Sequence, residues 1–111
     1  MAMTLTEEAP GALEMIEERA AEAAAMLRLL ANERRLILLC MLIVEGEAHV
    51  GRLAERVGLS QPAVSQHLAK LREDGLVATR RAGTTIHYRI ADPRVAQIIG
   101  TLKDVFCADL A

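Results

Sequence analysis

Apolar positions recur along the chain first at helical and then at strand period. From residue 11 to about 30, Leu13, Ile16, Ala20, Ala23 or Ala24 and Leu27 follow at three- and four-residue steps, one face of an α-helix. The stretch is rich in the strong helix formers Ala, Glu, Leu and Met. Its alanines would let a second helix approach closely. Residues 1–10 show little periodicity and are expected to form a mobile N-terminal segment ahead of one domain, 11–111. Asn32 can cap a second helix over 33–44, whose interior LILLCMLIV is apolar nearly all round. That pattern predicts burial on every side. Glu45-Gly46-Glu47 then closes the helix as a loop.

Two short helices joined by a tight turn are predicted next. Over 50–57, Leu53, Ala54 and Val57 share one side, and Gly58 supplies the backbone freedom of a sharp reversal. Ser60 caps the second helix, and Pro62 is tolerated in its first turn. Val64, Leu68 and Leu71 face a core, and Gly75 is a C-terminal stop. Turning about 100° per residue from Val64 brings Pro62, Ser65, Gln66, Ala69, Lys70 and Glu73 to the outward side.

Beyond Gly75 the period shortens. LVATRR (76–81) and TIHYRI (85–90) are rich in β-favouring residues and are separated by Ala82-Gly83-Thr84. In the second run Ile86, Tyr88 and Ile90 alternate with His87 and Arg89, so one face packs and the other meets solvent. Asp92 followed by Pro93 starts a last helix over about 93–107. Its Val95, Ile98, Ile99, Leu102, Val105 and Phe106 are too many apolar groups for a short terminal helix on a small monomer, and such patches mark interfaces. The expected fold is therefore mainly α with a small β-hairpin, a winged helix-turn-helix of five to six helices. The first and last helices are expected to form a homodimer.

Composition narrows this picture. At 111 residues the chain is one domain near the size where a partner subunit helps. With 2% aromatic residues and no Trp, its core must be aliphatic. The longest apolar run, 36–44, is too short to span a bilayer. The N-terminus is acidic, unlike a secretory signal, so a cytoplasmic protein with no membrane association is expected. The net charge of −2 hides a division. Residues 1–51 carry four arginines against nine glutamates, −5, and the tail from 95 carries −1. Residues 52–94 carry eight basic against four acidic groups, +4, on the segment holding the helix-turn-helix.

That segment suits DNA. Short polar side chains let a helix backbone approach a major groove, Gln pairs with an adenine edge, and Lys or Ser takes phosphate. The outward Ser65, Gln66 and Lys70 answer to these needs. An ordinary solvated helix face explains them less well once the capped turn precedes and a basic hairpin follows. Arg80, Arg81, His87 and Arg89 on that hairpin, with Thr84 in its turn, make it a wing that grips phosphates or the minor groove.

The segments ANERRLILLCMLIVEGE, LAERVGLSQPAVSQHLAKLREDGLV and RRAGTTIHYRI together resemble the ArsR/SmtB family of winged-helix repressors over about residues 25–107. The resemblance implies a dimer held on a palindromic operator until an inducer releases it. It further implies that Ser60, Gln61, Ser65, Gln66 and His67 contact the operator, assisted by the hairpin arginines. Metal-sensing members open the first motif helix with Glu-Leu-Cys-Val-Cys-Asp-Leu, whereas here 47–53 place His49 and Gly51 at the two thiolate positions. Members using Asp and His ligands on the last helix are not matched either, since PRVAQIIGTLKDVFC has no His. No metal site and no cofactor are expected. His49 reads as loop surface, His67 as part of the motif and His87 as part of the wing.

Cys40 and Cys107 remain. Taken alone, Cys40 inside an apolar run reads as a small buried filler. For Cys107, Lys103 one turn earlier favours thiolate, while Asp104 and the helix C-terminus oppose it. One Cys on the second helix and one on the last, without metal ligands, resembles the sulfide- and persulfide-responsive branch of the family. There a reactive sulfur species links the pair and operator affinity falls. A peroxide, disulfide or metal(loid) sensor using the same cysteines is the alternative. A thiol enzyme is disfavoured, since there is no Cys-x-x-Cys and neither cysteine has an adjacent base. A third class is a winged helix that binds only protein, against which loss of specific duplex binding on Gln66→Ala or Arg81→Ala would argue.

Overall fold

In the computed structural model, which describes residues 11–110, the helices after the first begin or end on a feature legible in the chain. Helix α1, Ala12–Leu30, belongs to one unit of the chain and residues from Asn32 onward to another. In α1 the predicted stripe of Leu13, Ile16 and Leu27 is exposed, and burial is confined to Met26, Leu29 and Leu30 near its end. The expectation of a mobile segment over 1–10 falls outside the described residues.

The second unit runs α2 (Glu33–Glu45), β1 (Ala48–His49), α3 (Val50–Val57), α4 (Gln61–Glu73), β2 (Val77–Ala82), β3 (Thr85–Ile90) and α5 (Pro93–Phe106). A single 3-10 turn, Ala108–Leu110, follows. Four helices start on side-chain caps, α3 on His49 and the other three on shorter side chains. Asn32 accepts from the Arg35 amide at 3.1 Å, Ser60 from Ala63 at 3.2 Å and Asp92 from Arg94 at 3.0 Å. Each satisfies a backbone donor that has no intrahelical partner. Gly58, at φ 70 and ψ 33, ends α3 in the left-handed region, so α4 can begin three residues later. The core is aliphatic. Leu38, Leu39, Leu42, Leu53, Val64, Leu68, Leu71 and Val95 are fully buried.

The strands form one antiparallel sheet in the order β1-β3-β2. Ala82 pairs with Thr85, so the hairpin turn is Gly83-Thr84, one residue shorter than expected. Gly83 takes φ 65 at the first central position, the requirement of a two-residue turn that matches strand twist. Strand β1 was not expected, because two residues are too few for alternation to register. His49, read from sequence as loop surface, pairs with His87 in this sheet and caps α3, its Nδ1 accepting from the Arg52 amide at 3.3 Å.

One expectation is overturned. Helix α2 is not buried on every side. Leu38, Leu39, Met41 and Leu42 are buried, whereas Ile37, Cys40, Ile43 and Val44 are exposed. A helix apolar all round carries no periodic mark of its buried side, and this unit covers only one. Helix α5 likewise buries Val95 and Ile99 and leaves Val105 and Phe106 at 65% and 73% exposure.

Candidate nucleic-acid interface and thiol groove

Burial of Val64, Leu68 and Leu71 fixes how α4 is turned. Gln61, Pro62, Ser65, Gln66, Ala69, Lys70 and Glu73 are all exposed, and no large apolar side chain interrupts them. Ser60 at the head of the helix is exposed too, its Oγ engaged by the Ala63 amide. Lys70 lies 3.4 Å from Glu73 and 3.8 Å from Asp74, exposed contacts that a phosphate can replace at little cost.

His67 departs from this face. It is half-buried, and its Nδ1 accepts a hydrogen bond from Arg35 Nε of α2 at 3.3 Å. Burial first, then the charges of Arg35 and Arg34, hold its pKa below the ordinary imidazole value. Neutral His67 therefore joins the helix bearing Gln66 to the helix bearing Cys40. The unfolded chain binds more protons between the two pKa values, so stability is lost as pH falls through about 6.5 and is level above about 7.5. His67→Gln, which keeps an acceptor and does not titrate, is expected to flatten this fall. Urea midpoints at pH 7.5 and 5.5 measure it, and equal falls in wild type and variant would refute the role.

The sheet separates the two adjacent arginines. Arg80 pairs with His87, and Arg81 pairs with Ile86, so their side chains leave on opposite faces. Arg80 is held by Glu47 through two contacts, Nη2 to Oε1 at 2.7 Å and Nε to Oε2 at 3.0 Å. That pairing, chiefly the hydrogen bond from Arg80, lowers the Glu47 pKa. The His49 and His87 rings meet edge to face at 6.2 Å on the Arg80 side. Arg81 and Thr84, nearer the turn, are exposed, and among the described residues Arg81 has no carboxylate partner. Sequence reasoning missed Arg35 and Glu47 as partners. They lie 32 and 33 residues from His67 and Arg80, and no spacing rule reaches that far.

At His49 and Gly51 the structure builds a capping device. A Cβ added at Gly51 would meet the His49 ring at 3.2 Å, so the residue is small where the imidazole folds over the start of α3. Among the described residues no three His, Cys, Asp or Glu side chains converge to hold a metal ion.

The two cysteines come together elsewhere. A groove of about 540 Å³ runs between α2 and α5, and both Cys40 and Cys107 line it. Leu36, Ile43, Ile99 and Phe106 are among its walls, and Lys103 contributes its one basic side chain. Both thiols are free. Cys40, expected as a buried filler, is exposed and Cys107 half-buried. Although Cys40 is exposed by area, the apolar walls desolvate its thiolate and raise its pKa, and the charge of Cys107 raises it further.

Three comparisons bear on this geometry. Residues 32–79 match the family model described as bacterial regulatory protein, arsR family. The chain is 46% identical to the transcriptional activator HlyU of Vibrio cholerae over 99 residues, 89% of this chain and 91% of that protein. It is 45% identical to the biofilm growth-associated repressor of Xylella fastidiosa over 95 residues, 86% of this chain and 82% of the relative. The crystal structure of the repressor BigR from Xylella fastidiosa superposes with a TM-score of 0.79 at 45% identity, covering 85% of this chain and 95% of that one.

Proposed function

The chain belongs to the arsR family of DNA-binding transcriptional regulators, and we propose that it is a repressor whose grip on its operator is lowered when reactive sulfur links Cys40 to Cys107. The observation that carries this reading is the groove that both thiols line. The same helices, α2 and α5, lead to the reading head and to an exposed apolar surface. On this reading the protein works in the cytoplasm as a homodimer through α1 and α5. Ser60, Gln61, Ser65, Gln66 and Lys70 face the major groove, Arg81 and Thr84 contact the backbone, and His67 and Arg80 hold these elements in place.

The chemistry balances with a persulfide, RSSH, as the only reagent. The Cys107 thiolate attacks the outer sulfur and releases RSH, leaving Cys107–SSH. The Cys40 thiolate then attacks the Cys107 sulfur and releases hydrogen sulfide, closing a disulfide. A second RSSH, consumed before closure, adds one sulfur and releases another RSH, so that closure gives a trisulfide. Each added sulfur lengthens the reach by about 2 Å.

Intact-mass spectrometry beside operator binding tests this. Persulfide treatment is expected to give an internal link with the mass of a di- or polysulfide and to weaken operator binding about 10- to 100-fold, the usual size of linkage between sites. Cys40→Ser and Cys107→Ser are each expected to bind the operator as wild type does and to ignore the persulfide. Release of either variant at the wild-type dose would overturn the proposal. Peroxide releasing the protein where persulfide does not would favour the oxidant-sensing alternative.

A further inference from the structure

The groove that holds the thiols has a chemical character of its own. Apart from the two sulfurs and Lys103 its lining is hydrocarbon or glycine: Ile43 and Val44 on α2, Ile99, Leu102 and Phe106 on α5. On the α2 wall Ile43 and Val44 are exposed at 38% and 83%, so the groove is open on that side to a molecule arriving from solvent. Nothing among the lining side chains supplies a hydrogen-bond acceptor for an ammonium, and one lysine cannot pair two carboxylates.

We propose that the groove selects its sulfur donor by the donor's arms, and that the preferred class is small, uncharged organic trisulfides with alkyl arms rather than glutathione-borne sulfur. This rests on the reading that Cys40 and Cys107 form the switch. A glutathionyl arm brings two carboxylates and an ammonium, which must stay hydrated or be buried without partners. An alkyl arm instead loses water-exposed surface against Ile43, Ile99 and Phe106, and each buried methylene tightens binding about fourfold. A cavity of about 540 Å³ has room for a short chain of sulfurs with two such arms.

The transfer needs no other reagent. The Cys107 thiolate attacks the central sulfur of R–S–S–S–R, that sulfur's bond to one arm breaks, and RS⁻ leaves and is protonated. The product is Cys107–S–S–S–R. The Cys40 thiolate attacks the sulfur inserted next to Cys107, and a second RS⁻ leaves. One trisulfide and two protein thiols thus become one protein trisulfide and two small thiols, with sulfur and hydrogen conserved.

Dipropyl trisulfide and glutathione trisulfide share the sulfur chain and differ only in their arms, so they isolate the proposed selection. Rates of bridge formation with each are compared on the full chain, divided by each reagent's rate with the same protein unfolded in urea. The expected result is at least a tenfold preference for the dipropyl reagent. Ile43→Glu and Val44→Glu, on the α2 wall and outside the α5 dimer contact, folded by circular dichroism and binding operator normally, are expected to reduce it to about threefold or less. Equal normalised rates, or a preference untouched in both variants, would overturn the selection while leaving the cysteine switch standing. A bridge with neither trisulfide nor persulfide would instead remove the switch itself, and the selection with it.

Discussion

Leu68→Ala is expected to cost about 3 kcal/mol of folding stability, within the roughly 2–5 kcal/mol range for leucine truncation in a packed core. Leu68 is 0% exposed, and its neighbours on the inward face of α4, Val64 and Leu71, are 0% exposed as well. Helix α4 packs on α3 and on β2, so a void beneath it is bordered by more than one element. Domains of this size have about 5–15 kcal/mol in total, so one leucine can account for a large part of it. The core offers little to refill the space, since it is built from aliphatic side chains of fixed branching and α4 is already pinned by its Ser60 cap. Urea denaturation at pH 7.5 measures the loss, expected as a lower midpoint at unchanged slope. A change below about 1 kcal/mol would mean that the helix is held chiefly from outside this core.

Gln66→Ala should leave folding untouched and damage operator binding. The side chain is exposed, with no partner among the described residues, and it stands one turn into α4 beside Ser65 on a face free of bulk. A bidentate contact to adenine contributes about 1–3 kcal/mol, and the proposed two-fold complex would lose it twice, about 2–6 kcal/mol or roughly thirtyfold to ten-thousandfold in affinity. Because no phosphate contact is removed, the dependence of binding on salt should stay as in wild type, whereas Lys70→Ala should reduce it. Anisotropy titrations at three salt concentrations distinguish the two. Undiminished affinity of Gln66→Ala for its operator would place the reading contacts elsewhere on the domain.

Much of this molecule could be read in advance because its local signals agree. Asn32, Ser60 and Asp92 announce helix starts, Gly58 and Gly75 the ends, and Val64, Leu68 and Leu71 the buried side of α4. What escaped has a common cause. The buried side of α2 has no period to betray it, β1 is too short to show alternation, and the partners of His67 and Arg80 lie a third of the chain away. The thiol pair shows both situations. That Cys40 and Cys107 belong together was suggested by family likeness, whereas their common apolar groove depends on how α2 meets α5.

The neighbouring arginines of the wing carry a consequence for how this sequence can vary. Because β2 and β3 are joined by only two residues, one insertion or deletion in β2 ahead of Arg80 turns both arginines to the opposite faces. In most hairpins that would exchange a working face for an idle one. Here the residue delivered to each face would again be arginine, one positioned for a carboxylate and one left free. The doublet makes the wing tolerant of a slip in register, so the hairpin can change length over generations while a cation is still offered on the side facing away from Glu47.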